Sequence, residues 1–169
     1  MRLESLQDVF AKQLNDLRSA EEQLVATLPK MAGAASSKEL REAFQNHLQE
    51  TRGHLDRIDD VIATCGIPKS GETCKAMKGL IEEGDEIVSA TGDPMAKDAA
   101  LIAAAQRVEH YEIAGYGTAV ALAGNLGFDD EAKETLDQTL DEEGAADKLL
   151  TKIATGGVFS EGVNQKAAR

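Results

Sequence analysis

Apolar residues recur every three or four positions through almost the whole chain, the spacing of one buried stripe along a helix. From Leu3 the stripe runs Leu6, Phe10, Leu14, Leu17, Leu24, Leu28 and Met31, with Pro29 near its end and Gly33 offering a stop. Ser36 followed by Glu39 has the form of a capping box and opens a second helix on Leu40, Phe44, Leu48, Leu55, Ile58, Val61 and Ile62, closed by Gly66 and Pro68. A shorter amphipathic segment from Cys74 to Ala90 ends at Gly92. Asp93-Pro94 then supplies an N-cap and a first-turn proline for a helix reaching Asn125 or Leu126, with Gly127 as its stop. Asp129 and Asp130 start the last long helix, which carries Leu136, Leu140, Leu149, Leu150 and Ile153 before Gly156-Gly157. The residues after Ser160 read as a polar, frayed tail, so the chain divides into a helical domain over 1–159 and a tail over 160–169.

Short links make hairpins of the first and last helix pairs, whereas the middle connection is long enough to traverse a bundle. The pattern predicts an all-α fold, a ferritin-like four-helix bundle with a long crossover containing an extra short helix. The uncharged run from Ile113 to Phe128 is too short for a membrane span and is built from Ala and Gly. It reads as a close-packing face, either inside the bundle or across a dimer interface.

Composition agrees and narrows the function. Of 169 residues, 42% are hydrophobic and 28% charged, with 3 Pro and no Trp, as expected of one soluble helical domain. A formal charge of −12 repels phosphates and anionic headgroups, so neither nucleic acid nor a membrane is an expected partner. The amphipathic start at Met1 leaves no room for a secretory signal, which points to the cytoplasm. Cys65 and Cys74 fit no standard zinc spacing and are expected as reduced thiols near a turn.

The stripes break in one place on each helix. Glu21 falls between Leu17 and Leu24; His47, Glu50 and His54 fall between Phe44 and Ile58; Glu109 and Glu112 follow Val108; Glu143 and Asp147 lie between Leu140 and Leu150. At about 1.5 Å per residue, Glu21 and Glu50 share one level of the first hairpin, and Glu109, Glu112 and Glu143 share one level of the second. Ionised carboxylates cannot gather in an apolar core uncompensated, because each such charge costs several kcal/mol. Protons, paired cations or divalent metals must neutralise them. Arg18, Arg52, Arg57 and Arg107 flank the stripes, so the expected compensation is two metal ions, iron or manganese, with a proton-sharing network as the rival. Expected ligands are Glu21, Glu50, Glu109 and Glu143, joined by His54 through nitrogen. Glu112 and Asp147 are read as ligands or as groups that orient them; His47 is read as structural or supporting, and His110 as solvated. Tyr111 and Tyr116 are read as buried tyrosines with satisfied hydroxyls, with a radical or hydrogen-bonding role near metal as the alternative.

The stretches Ser19-Ala20-Glu21-Glu22-Gln23-Leu24, Gly79-Leu80-Ile81-Glu82-Glu83, Asp98 to Gln106, and Val108-Glu109-His110-Tyr111-Glu112-Ile113 followed by Tyr116-Gly117-Thr118 resemble the YciF/YciE-like family of bacterial ferritin-like stress proteins. The resemblance spans nearly the whole chain. It implies a four-helix bundle with a crossover helix, a homodimer and a link to stress responses, without an established reaction. Glu109-His110-Tyr111-Glu112 is also similar to a rubrerythrin ligand helix, which implies peroxide or oxygen chemistry at a di-iron centre. Most of that superfamily carries a His three residues after a Glu on two ligand helices; here Gly53 and Ala146 stand there, with His54 and Asp147 one step later. No cysteine-rich electron-transfer module is present, so the electron donor would be a separate, unknown protein. The competing expectation is a non-catalytic, dimeric binding or structural bundle.

Overall fold

A computed structural model describes residues 3–128, 130–157 and 160–169. Four long helices form the body: α1 (Leu6–Ala34), α2 (Lys38–Thr64), α4 (Pro94–Leu126) and α5 (Asp130–Thr155). A shorter α3 (Lys75–Ser89) sits in the crossover, and a two-residue hairpin, Gly156–Gly157 with Ser160–Glu161, leads to α6 (Val163–Ala167). α1 packs on α2 and α4, and α5 packs on the same two helices. Asp98 meets Ser36 and Ser37, whereas Phe10 stacks on Phe128, so α1 and α4 run antiparallel. The crossover carries the chain back along the bundle from the end of α2 to the start of α4, the ferritin-like arrangement. No helix among the described residues is long and apolar enough to cross a membrane.

The helix ends show why these segments start and stop where they do. α1 opens on Ser5, whose side chain accepts from the Asp8 N–H while Asp8 accepts from the Ser5 N–H. Its end is Ala34; Gly33 lies inside the helix rather than stopping it. The cap of α2 is Ser37, one residue after the Ser36 expected from sequence. Ser36 and Ser37 instead present their backbone N–H groups to the buried Asp98 of α4, at 2.8 and 2.6 Å. Asp93 and Pro94 begin α4 as expected, and Gly127 ends it at φ +69°, a backbone shape that favours glycine. The expected Asp129 cap of α5 lies outside the described residues.

The C-terminal segment corrects the expectation of a frayed tail. Residues 160–169 turn back through the hairpin, and α6 packs on α4 and α5 with Val163 buried. A turn too tight for side chains makes this possible: a Cβ on Gly162 would lie 2.3 Å from the Ala154 carbonyl oxygen.

One face of the small-residue run on α4 turns inward, and Ala114, Thr118, Ala121 and Gly124 on the other are exposed. Gly115, Ala119 and Ala123 are buried, and a Cβ on Gly115 would come within 2.6 Å of Leu17 Cδ2. Two apolar clusters fill the bundle. One gathers Leu24, Leu28, Phe44, Leu101, Ala105, Val108, Leu150 and Ile153; the other gathers Phe10, Leu14, Leu17, Ile58, Ile62, Tyr116, Ala119 and Leu136. Each long helix passes from one cluster to the other through a polar step, and those four steps make the layer described next.

Candidate metal centre

Six side chains meet at this layer and all are buried: Glu21 from α1, His47 and His54 from α2, Glu109 and Glu112 from α4, and Glu143 from α5. Their donor atoms form two groups, each spanning less than 4.8 Å. Glu21, His54 and Glu143 make one; His47, Glu109, Glu112 and Glu143 make the other. Glu143 belongs to both.

The contacts within the layer are close but do not satisfy one another. His54 Nδ1 lies 2.8 Å from Glu143 Oε1 and 3.5 Å from Glu21 Oε1. His47 Nε2 lies 3.4 Å from Glu109 Oε1 and 3.7 Å from Glu143 Oε2. Yet the lone pairs and N–H groups are not aimed along these lines. Eight buried side-chain nitrogen and oxygen atoms among the described residues make no hydrogen bond, and all eight belong to these six residues. Glu112 and Glu143 are fully buried carboxyls with neither oxygen hydrogen-bonded. Buried polar groups are ordinarily paired, so eight orphans in one layer need a partner that the chain does not supply.

The ionisation states follow from the same placement. Burial pushes the carboxyl groups of Glu21, Glu109 and Glu112 up, and for Glu112 the surrounding carboxylates of Glu143, Glu21 and Glu109 push further. Burial acts on Glu143 in the same direction, but His54 and His47 beside it outweigh that and hold it low. Burial opposes the charge of both histidines. For His47, Glu109, Glu50 and Glu143 prevail and raise it to about 9; for His54, Glu143 and Glu21 raise it to about 10. Within the layer, burial thus favours the neutral form of Glu21, Glu109 and Glu112, and the neighbouring carboxylates favour the charged form of the two histidines.

Outside the layer, polar groups fix the orientation of its members. His54 Nε2 donates to Glu142 Oε2 at 2.9 Å, and Glu142 is itself ion-paired with Arg57, whose Nε donates to Thr139 Oγ1 at 3.0 Å. His47 Nδ1 lies 3.3 Å from Glu50 Oε2. Each imidazole thus spends one ring nitrogen on an outer carboxylate and turns the other into the cluster, the arrangement that sets tautomer and angle in histidine-ligated metal sites. Tyr116 donates to Glu21 Oε1 at 2.6 Å, a buried tyrosine with a satisfied hydroxyl. The Tyr111 hydroxyl donates to Asp16 and lies 3.0 Å from Cys74 Sγ; this thiol also caps α3, accepting from the Met77 N–H.

Of the seven residues expected as ligands, Glu21, His54, Glu109, Glu112 and Glu143 converge. Glu50 and Asp147 do not. The Glu50 side chain is 49% exposed and supports His47 from outside. Asp147 faces α4 on the outer side, accepting from Gln106 Nε2 at 2.9 Å and lying 3.3 Å from His110 Nε2. His47, expected as a supporting residue, stands inside the cluster, and Glu142 was not singled out at all. The phase of α2 carries the missed signal: Leu40, Phe44, His47, Thr51, His54 and Ile58 alternate steps of four and three, and Glu50 is out of step with them.

A single-crossover bundle with a buried layer of Glu and His shared by four helices defines the class: a ferritin-like helical protein. Within it, the chain belongs to the family described as "Domain of unknown function (DUF892)", whose model matches residues 5–168. It is 45% identical over 166 residues to Protein YciF of Escherichia coli (strain K12), covering 98% of this chain and 99% of that protein. The crystal structure of the E. coli stress protein YciF superposes with a TM-score of 0.86 at 46% identity, over 89% of this chain and 94% of that one. YcfI from Rhodopseudomonas palustris superposes with a TM-score of 0.85 at 40% identity, over 89% of this chain and 96% of that one. This chain is a YciF-like helical bundle.

Proposed function

We propose that the layer holds two metal ions, iron or manganese, and that this YciF-like bundle brings them to peroxide or dioxygen as part of a stress response. The observation that carries this reading is the orphaned donor set: eight buried N and O atoms without hydrogen bonds, arranged as two groups sharing Glu143. Carboxylate and imidazole suit both metals, so the donor set fits the group it would receive. Glu21 and His54 would hold one ion, His47, Glu109 and Glu112 the other, and Glu143 would serve both.

Bound iron or manganese supplies redox and Lewis-acid chemistry. The chain supplies geometry and dryness. Glu142 with Arg57 holds His54, Glu50 holds His47, and Tyr116 holds Glu21, so three inner groups are positioned before anything binds. The apolar clusters above and below the layer exclude water along the bundle axis. Binding of a cation by His47, His54 and the raised carboxyls would require the protons at the donor atoms to leave, so affinity would rise with pH.

The test is elemental analysis of the purified protein beside a Glu21→Ala, Glu143→Ala double variant, followed by peroxide consumption after Fe(II) loading. The reading expects bound metal lost in the variant, and turnover faster with metal than without. Loaded protein no faster than the metal-free protein overturns the redox part, and a wild-type protein that takes up no metal overturns the whole. A second reading has its own support, the two histidines with raised pKa values set against Glu143 and Glu142, two carboxyls held low. In it the cluster fixes the fold of a non-catalytic, homodimeric stress-associated bundle. Metal bound without turnover, or a stable fold with none, favours that reading.

A further inference from the structure

Apolar side chains close the donor layer along the bundle axis, but its side between α2 and α5 is open. A cavity of about 190 Å³ lies there. Its inner wall includes His47 and Glu109, two members of the cluster, and its mouth includes the exposed Glu50, Ala145 and Leu149. The half-buried Ala146 lies along the wall. His47 Nε2 and Glu109 Oε2 are both buried, both without a hydrogen bond, and belong to the residues that line this space.

Size and charge restrict what can pass. At about 30 Å³ per water, 190 Å³ takes roughly six waters, the volume of one hydrated ion. Drug-sized organic ligands need pockets of about 300–1,000 Å³, so this space is too small for them. On the α5 side the lining includes two small residues in succession, Ala145 and Ala146. The ionisable groups at the cavity besides His47 and Glu109 are the carboxylates Glu50 and Glu142; Glu142 is already bound by Arg57 and His54. Glu50 alone offers an exposed carboxylate in contact with a cluster histidine. Such a mouth on a chain of charge −12 favours cations.

We propose that the cavity between α2 and α5 is the entrance by which hydrated divalent cations reach the donor layer, with Glu50 as the first carboxylate they meet and Ala146 as the narrow point. The inference rests on the metal reading above and adds its route.

Stopped-flow absorption of Co(II) binding to the full chain tests it, with the final metal content measured separately. Ala146→Leu is expected to slow uptake at least tenfold while reaching the wild-type metal content. Glu50→Gln, at an exposed position that does not endanger folding, is expected to slow uptake several-fold and to flatten its dependence on ionic strength. Leu149→Ala, which widens the mouth, is expected to bind no more slowly than wild type. Full loading at wild-type rates in both Ala146→Leu and Glu50→Gln overturns the entrance and leaves the metal centre standing. A lower final content of Ala146→Leu at an unchanged rate also overturns it, since Ala146 would then shape the cage rather than the path. A wild-type protein that binds no Co(II) overturns route and centre together. Circular dichroism of each variant separates these results from misfolding, in which case Glu50→Gln decides.

Discussion

His47 and His54 are positioned alike, each leaning on an outer carboxylate with one nitrogen and facing buried carboxyls with the other. Outer and inner carboxylates should therefore respond differently to substitution. Glu50→Gln keeps a hydrogen-bonding partner for His47 and should retain the metal content of wild type, whereas Glu143→Gln removes the shared donor and should lose at least one ion, as read by elemental analysis. The histidines also set a pH dependence. Their folded pKa values, about 9 and about 10, lie above the ordinary 6.5, so their stabilisation of the metal-free protein is complete below pH 6.5 and disappears as the pH rises through 9 to 10. The melting temperature of metal-free protein should fall over that window by roughly 10 °C, a few kcal/mol at this chain length. Saturating Mn(II) should flatten the slope, and its affinity should increase with pH up to the same window of 9 to 10, where the protons on His47 and His54 stop competing. Much of this chemistry was legible in the sequence, because a charged residue on an apolar stripe is conspicuous. Glu50 and Asp147 were misplaced because stripe membership tolerates an error of one position, and one position is a rotation of about 100°.

At the scale of elements, the segments expected as helices are helices, and the ends that differ have nameable causes. Ser36 lost the capping role to Ser37 because the buried Asp98, more than sixty residues away, claims the backbone of both. No local rule contains that contact. Asp98→Ala should leave two N–H groups unpaired at the start of α2 and cost about 2–4 kcal/mol, measurable by chemical denaturation. Gly115→Val should cost about 1–3 kcal/mol, since the new side chain enters the space of Leu17. The tail was unreadable for a related reason. Its one buried apolar residue, Val163, shows no periodicity by itself, and its docking depends on the glycines that let the chain double back.

For the whole molecule, the order of helices, the crossover and the single level of the polar layer all followed from helix lengths and rise per residue. One face of the small-residue run of α4 is used inside the bundle, while Ala114, Thr118, Ala121 and Gly124 are exposed on the other. Analytical ultracentrifugation should give twice the monomer mass; a monomer at micromolar concentration would refute the dimer. Every donor of the layer sits in the interior of a long helix, and α1, α2, α4 and α5 all cross that level without interruption. Among the described residues no loop supplies a donor to the layer, so none of its donors rides on a lid. If the proposed ions bind, the donors would adjust only by rotation about side-chain bonds on a fixed backbone scaffold, and the cavity between α2 and α5 would set the pace at which ions arrive.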